Sequence, residues 1–384
     1  MNVGIDRINF YTPEFYLDLK DLAEARSVDP NKYLLGLMQK QMSVAPADQD
    51  SVTLAANAAK RVVDGIDKDD VGLIIFATES SIDQSKSGSL YLQELLKLSN
   101  SARSFEIKEA CYGGTAALMS ACDYVRTHPN KKALITASDI ARYGLNTPGE
   151  VTQGAGAVAM IISKDPNIAA ISQDNEVYSE QIMDFWRPNY QKNAIANGHY
   201  SQEKYLEFFK TVFEEYINKN KSDFAALLFH VPYSKLAYKA FKIACEKIDP
   251  STREMLKKRF DLSIDLNQKV GNIYTASIYL SLISLIIQDP SLKKGDKLGL
   301  FSYGSGAVGD FFSIELTDRF KKSIDKKTIV EQIKRRKKLS IQEYEQFFKE
   351  QTEIEAKEIS IEQKTNLKDF RFLGIKKDQR QYSH

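Results

Sequence analysis

Cys111 stands in FEIKEACYGGTAALMSACDYV, residues 105–125, between a short strand-like run and two glycines. If a helix begins at Cys111 or Tyr112, the thiol lies at the positive end of the helix dipole beside unpaired backbone N–H groups. Both effects favour thiolate, the nucleophilic form. Gly113 and Gly114 let another backbone or a ligand approach closely. The alternative reading is a small buried hydrophobe, the role expected of Cys122 and Cys245. Glu79 ends the apolar run LIIFAT, where partial burial raises a carboxyl toward the range of a general base. A carboxylate that merely caps the next turn in solvent is the alternative. His230 follows AALLF and precedes VPYSK. It either holds a proton or polarises a carbonyl near Cys111, or it is a hydrogen-bonded core residue. Asn272 and the turn Gly304–Ser305–Gly306 offer donors for an oxyanion. A glycine turn also serves any tight bend. Lys235 and Lys239 follow His230 and either approach phosphates or stay on the surface. His128, His199 and His384 have no supporting context and read as surface residues.

Elements that gather these residues are suggested by an internal repeat. Three kinds of segment occur twice, in one order. An apolar run without alternation, as in a strand covered on both faces, appears in DVGLIIFATESS and DFAALLFHVPYSK. A loop leading into a small-residue apolar helix appears in CYGGTAALMSACDYV and GNIYTASIYLSLISLI. A glycine turn followed by a strand appears in QGAGAVAMIIS and GSGAVGDFFSIEL. Their separations, roughly 30 to 45 residues, suit βα units. A duplicated α/β chain follows, and the carboxyl ends of its strands collect at the ligand site. Two packed halves would bring Glu79, Cys111, His230, Asn272 and the Gly304–Gly306 turn together. The stretch 179–221 between them reads as a helix-rich insertion or cap. After Thr317 the sequence becomes a charged helical tail, in which Lys334–Lys338 reads as a phosphate contact or a solvated helix face. FRFLGI, near the end, reads as a short strand.

Composition narrows the classes. The 384 residues are 43% hydrophobic and 27% charged, enough for a large core. A net charge of +2 gives no bulk attraction to nucleic acid or to an anionic membrane. Three cysteines make no disulfide framework, which suits a reducing, cytoplasmic setting. The N-terminal stretch carries Asp6 and Arg7 and no long apolar region, so no signal peptide is expected. The most apolar run, Tyr274 to Gln288, is too short for a bilayer and reads as a buried helix. CxxC, HExxH and Walker patterns are absent from the sequence, and four scattered histidines give no metal-ligand spacing.

The motifs SFEIKEACYGGTAAL, FATESSIDQSKS, FHVPYSK, KVGNIYTAS, DFWRP and FSYGSGAV together resemble the bacterial 3-hydroxy-3-methylglutaryl-CoA (HMG-CoA) synthase family of the thiolase superfamily. The resemblance runs from the first strand to about Leu316 and more weakly through the tail. It implies a thiolase-like α/β fold of two pseudo-symmetric βαβαβ halves, residues 1–165 and 166–384, in a layered α-β-α-β-α core with helical insertions. It implies that acetyl-CoA and acetoacetyl-CoA are the substrates, with no cofactor and no metal. Cys111 would carry the acetyl group, Glu79 would be the base, and His230 would orient acetoacetyl-CoA. Asn272 would support that region, and the N–H groups of Cys111 and Ser305, with the Gly304 turn, would hold the acetyl oxygen. Tyr143 and Phe185 would line the pocket, and Lys235 would lie near the CoA phosphates. A cytoplasmic homodimer acting in the mevalonate pathway is implied. Two neighbouring readings are a polyketide β-branching relative with a carrier-bound acceptor and an acyl-CoA binder without turnover. Two departures from the family pattern are Met38, where glycine is usual, and Asn197, where aspartate is usual.

Overall fold

The computed structural model describes residues 1–220, 223–352, 354 and 357–383. Its main sheet contains β1 (Val3–Tyr11), β2 (Val71–Ala77), β3 (Arg103–Ile107), β4 (Lys132–Ala141) and β5 (Gly154–Lys164). It continues with β6 (Ala169–Ser179), β7 (Ala226–Phe229), β8 (Lys297–Gly304) and β9 (Val308–Leu316). Their spatial order is β7-β8-β9-β6-β1-β5-β4-β2-β3. The run β3-β2-β4-β5-β1 is thus repeated as β7-β8-β9-β6, without a counterpart of β3 among the described residues. Orientation repeats as well. β2 pairs parallel with β4, and β5 runs antiparallel to both β4 and β1. Likewise β7 pairs parallel with β8, and β9 runs antiparallel to both β8 and β6. The two sets join where Gly4 and Ile5 face Ala170 and Ala169.

The helices that matter here are α1 (Ser51–Val62), α2 (Gly88–Leu95), α3 (Gly113–Thr127), α4 (Gly198–Lys219), α5 (Ser234–Lys247), α6 (Arg253–Val270) and α7 (Ser277–Gln288). The sequence SIYLSLISLIIQ is apolar on every side, as a helix enclosed by protein must be, and α7 is buried from Ser277 to Ile287. Its serines are satisfied internally: Ser281 accepts from Asn267 at 2.7 Å, and Ser284 donates to the Leu262 carbonyl at 2.6 Å. One apolar cluster joins α3 and α7 to both sets of strands through Leu118, Cys122, Ile278 and Ile283. A second packs α1 and α2 on β2, β4 and β5. A third packs α4, α5 and α6 on β7, β8 and β9. The result is the layered α-β-α-β-α arrangement expected, and the three repeated segment pairs occupy equivalent positions in it.

The stretch 179–221, whose position 221 lies outside the described residues, is an insertion in two parts, and Phe185, Trp186 and Arg187 of its first part line a large cavity together with Glu79. It starts with a small hairpin, Phe185–Trp186 against Ile195–Ala196, and then α4 turns its buried aromatic side onto the outer face of the sheet. Asn197 accepts from the Tyr200 N–H as the N-cap of α4, a role that asparagine fills as well as aspartate. The basic run Lys334–Lys338 is not a single helix face, and Arg336 alone of the five is buried. It leaves helix α8 (Lys326–Lys334) and pairs Lys337 and Lys338 with Phe15 and Tyr16. Arg336 is buried and donates to Ser43, Gln41 and the Lys269 carbonyl. Helix α9 (Ile341–Thr352) follows, and Phe372–Lys376 forms a strand near the expected place. His128 and His199 are exposed, while His384 lies outside the described residues.

Candidate active site

The tips of β2, β4 and β8 and the starts of α3 and α7 converge on Cys111. Its turn ends at Tyr112, the N-cap of α3. The Tyr112 hydroxyl donates to the buried Asp310 at 3.0 Å, which ties the turn to β9. Ala110, just before the cysteine, holds a left-handed φ of 40°. Two glycines allow the convergence. A Cβ on Gly304 would stand 2.6 Å from the Glu109 oxygen and 2.7 Å from the Tyr112 nitrogen. A Cβ on Gly114 would stand 2.3 Å from the Thr275 oxygen. The Gly304 strand end and the Thr275 turn therefore lie directly against the turn that carries Cys111.

Cys111 Sγ donates to Glu79 Oε1 at 3.1 Å. Burial and the nearby Asp139 carboxylate push the Glu79 carboxyl up to about 8. The thiol is shifted up too, well above its ordinary value, by burial and then by the negative charge of Glu79. The expectation of a resting thiolate is thus corrected. The helix dipole is outweighed by desolvation and by the carboxylates of Glu79, Asp139 and Asp184.

Asp139, which the sequence reading missed, is the hub. Its Oδ1 accepts from the Glu79 N–H at 2.8 Å, from Ser80 Oγ at 2.9 Å and from Thr78 Oγ1 at 3.0 Å. Its Oδ2 accepts from the N–H and hydroxyl of Thr275. One carboxylate thereby fixes the Glu79 turn to the loop that carries Asn272. Asp184 does the same for the glycine turn, accepting from the Gly306 N–H at 2.9 Å and from Tyr303 at 3.0 Å. Arg187 donates to the Glu79 carbonyl. A carboxylate inside an apolar strand was the available signal for Asp139, because buried acids need partners.

His230 is buried at the tip of β7. Its Nδ1 lies 2.6 Å from Ser277 Oγ, two residues beyond Thr275, and its carbonyl accepts from Tyr205 at 2.7 Å. Burial lowers its pKa to about 3, so the ring is neutral at physiological pH. Asn272 Oδ1 accepts from the Tyr274 N–H at 2.9 Å. Tyr143, Phe185 and Tyr274 form an aromatic triad with centroids 5.9–6.2 Å apart. A cavity of about 1400 Å³ is lined by Glu79, Ala110, Phe185, Arg187, Ser305 and Gly306, among others. Lys235 and Lys239 lie off it on α5: the Lys235 ammonium sits 5.5 Å from the Tyr238 ring centroid, and Lys239 donates to Gln202. Among the described residues no group of three His, Cys, Asp or Glu side chains is arranged to hold a metal ion, and no helix is long and apolar enough to cross a membrane.

A duplicated, layered α/β core with a cysteine at the start of its first central helix and a carboxyl from the neighbouring strand tip is thiolase-like. The family profiles for the N-terminal and C-terminal parts of hydroxymethylglutaryl-coenzyme A synthase match residues 1–167 and 244–371. A hydroxymethylglutaryl-CoA synthase of Enterococcus faecalis is 45% identical over 353 residues, 91% of this chain and 92% of its own. A crystal structure of an HMG-CoA synthase complexed with CoA superposes with a TM-score of 0.96 at 43% identity, covering 100% of this chain and 99% of that one. The polyketide-biosynthesis 3-hydroxy-3-methylglutaryl-ACP synthase of Bacillus subtilis is 33% identical, over 91% of this chain and 88% of its own. The chain belongs to the hydroxymethylglutaryl-CoA synthase family.

Proposed function

We propose that the protein is a hydroxymethylglutaryl-CoA synthase, an acyltransferase that condenses acetyl-CoA, acetoacetyl-CoA and water to HMG-CoA and CoA. The observation that carries this reading is the 3.1 Å contact between Cys111 Sγ and Glu79 Oε1, inside a chain of this family. Cys111 attacks the acetyl thioester, and its proton leaves with the departing CoA thiolate. A thioester acidifies the adjacent methyl group, and Glu79, as carboxylate, takes a methyl proton. The carbanion adds to the ketone of acetoacetyl-CoA, and Glu79 returns the proton to the new alkoxide. Water then cleaves the Cys111 thioester and releases a free carboxylate. His230, neutral, orients and polarises the ketone, with Asn272 beside it. The N–H groups of Cys111 and Ser305, on the turn that Gly304 brings close, hold the acetyl oxygen. Tyr143 and Phe185 wall the acyl pocket. Lys235, and less directly Lys239, serve the CoA phosphates from the start of α5.

We place the division of the chain at 165/166 and read its setting as the cytoplasm, in the mevalonate route to isoprenoids. No cofactor or metal takes part. A homodimer is supported by the terminal strand β3, whose edge is open and carries the exposed Phe105 next to the exposed Leu90 of α2. The higher identity to the Enterococcus faecalis synthase favours a CoA-bound over a carrier-bound acceptor. Loss of acetoacetyl-CoA enolate absorbance on mixing enzyme with both CoA thioesters tests the reading. Turnover restricted to a carrier-bound acceptor would reject it.

A further inference from the structure

The C-terminal helix α9 is far from Cys111 in sequence and has no part in the chemistry above. Its buried face is nevertheless polar at two places. The Tyr344 hydroxyl, 2% exposed as a residue, accepts from Gln153 Nε2 at 2.9 Å and donates to Glu150 Oε1 at 3.1 Å. The other end of the Gln153 amide accepts from the backbone N–H groups of Tyr143 and Gly144, at 2.8 and 3.1 Å. Glu150 Oε2 accepts from the Asn146 N–H at 2.9 Å, and the same carboxylate is clamped by Arg26. Two turns farther along α9, Gln351 accepts from Arg142 and donates to the Pro46 and Gln49 carbonyls. Leu145 packs with Phe347 and Leu339 in the small core under the helix.

Every backbone donor that fixes the 143–146 loop is therefore held by a side chain that α9 itself touches. That loop carries Tyr143, whose ring meets Phe185 and Tyr274 beside Cys111 and Glu79. We propose that α9 is a positioning element of the active site: Tyr344, acting through Gln153 and Glu150, and Gln351, acting through Arg142, set the loop that places Tyr143. The catalytic consequence rests on the function proposed above, whereas the positioning itself does not. Both act on the loop through hydrogen bonds; Tyr344 stands back from the cavity, whereas Gln351 lines its wall beside Arg142. The Tyr344 hydroxyl is the discriminating atom, because its removal leaves the ring and its packing in place.

The test compares full-length wild type with Tyr344→Phe and Gln351→Ala by amide hydrogen exchange and by single-turnover acetylation of Cys111 from acetyl-CoA. In Tyr344→Phe the Tyr143 and Gly144 amides are expected to exchange about tenfold faster while amides in α3 and α7 keep their rates. The acetylation rate should fall about tenfold with little change in the acetyl-CoA concentration for half-saturation. Gln351→Ala should give the same pattern more weakly. Unchanged exchange at Tyr143 and Gly144 in both variants would overturn the proposal. So would faster exchange spread evenly over the whole chain, or local loosening with an unchanged acetylation rate. Failure of wild type to acetylate Cys111 would instead reject the proposed function, and the exchange pattern would still decide whether α9 positions the loop.

Discussion

Replacing Glu79 by glutamine should make the protein more stable, and increasingly so as pH rises. The carboxyl is buried against Cys111 and Asp139, and its folded-state pKa is raised from an ordinary 4.5 to about 8. Below 4.5 the folded and unfolded chains both hold this proton. Between 4.5 and 8 the unfolded chain releases it and the folded chain keeps it, so stability falls as pH rises. Above 8 both are ionised, and the folded state carries the full burden of a buried charge. At 1.36 kcal/mol for each pH unit the loss across this window is at most about 5 kcal/mol. Glutamine has the same shape and no charge to bury, so the variant escapes the loss. With about 2.1 cal/mol/K of unfolding entropy per residue over 384 residues, the difference is about 6 °C in Tm. The step belongs to the coupled Glu79–Asp139–Cys111 group, not to one carboxyl. Thermal melts of wild type and Glu79→Gln at pH 5 and pH 9 measure it, and titrations elsewhere cancel in the difference. A Tm difference equal at the two pH values, or one that shrinks toward pH 9, would refute the reasoning.

Glu79→Ala should still acquire an acetyl group on Cys111, because loss of the carboxylate lowers the thiol pKa that it raises. Condensation should fall by about 10²-fold or more, the usual effect of losing a positioned base, as single-turnover assays of the two half-reactions would report. The kcat/KM for condensation in wild type should rise with pH toward a midpoint near 8, as Glu79 ionises. In Asp139→Asn that midpoint should move down, since a neighbouring negative charge is removed; an upward shift would contradict the assigned cause. Gly304→Ala should lower kcat by about 10²-fold with the fold retained by circular dichroism, because the new Cβ would push on Glu109 and Tyr112 and displace Cys111.

How much of this was legible in the sequence follows from what each residue depends on. Glu79 and His230 end uninterrupted apolar runs, and such runs are strand tips in a sheet covered on both faces. Cys111 precedes two glycines and a helix pattern, so its place was readable from neighbours alone. Its protonation state was not. That is set by Glu79, Asp139 and Asp184, which arrive from other elements and outweigh a local dipole. Asp139 was hidden because its partners, Thr78, Ser80 and Thr275, lie up to 136 residues away. The polar face of α9 was unreadable for the same reason: Tyr344 bonds across 194 residues to Glu150. In the 179–221 stretch the aromatic spacing in α4 announces a buried face without saying which sheet it covers. In the basic run, Arg336 is buried because Tyr16, Gln41 and Ser43 receive it, none of them near in sequence.

The most direct measurement is mass spectrometry of the intact protein and its peptides after a brief exposure to acetyl-CoA alone. One acetyl group should appear on the peptide containing Cys111 in wild type and disappear when acetoacetyl-CoA is added, and Cys111→Ala should show none. An acetyl group on another residue, or turnover that persists in Cys111→Ala, would contradict a mechanism built on this sulfur.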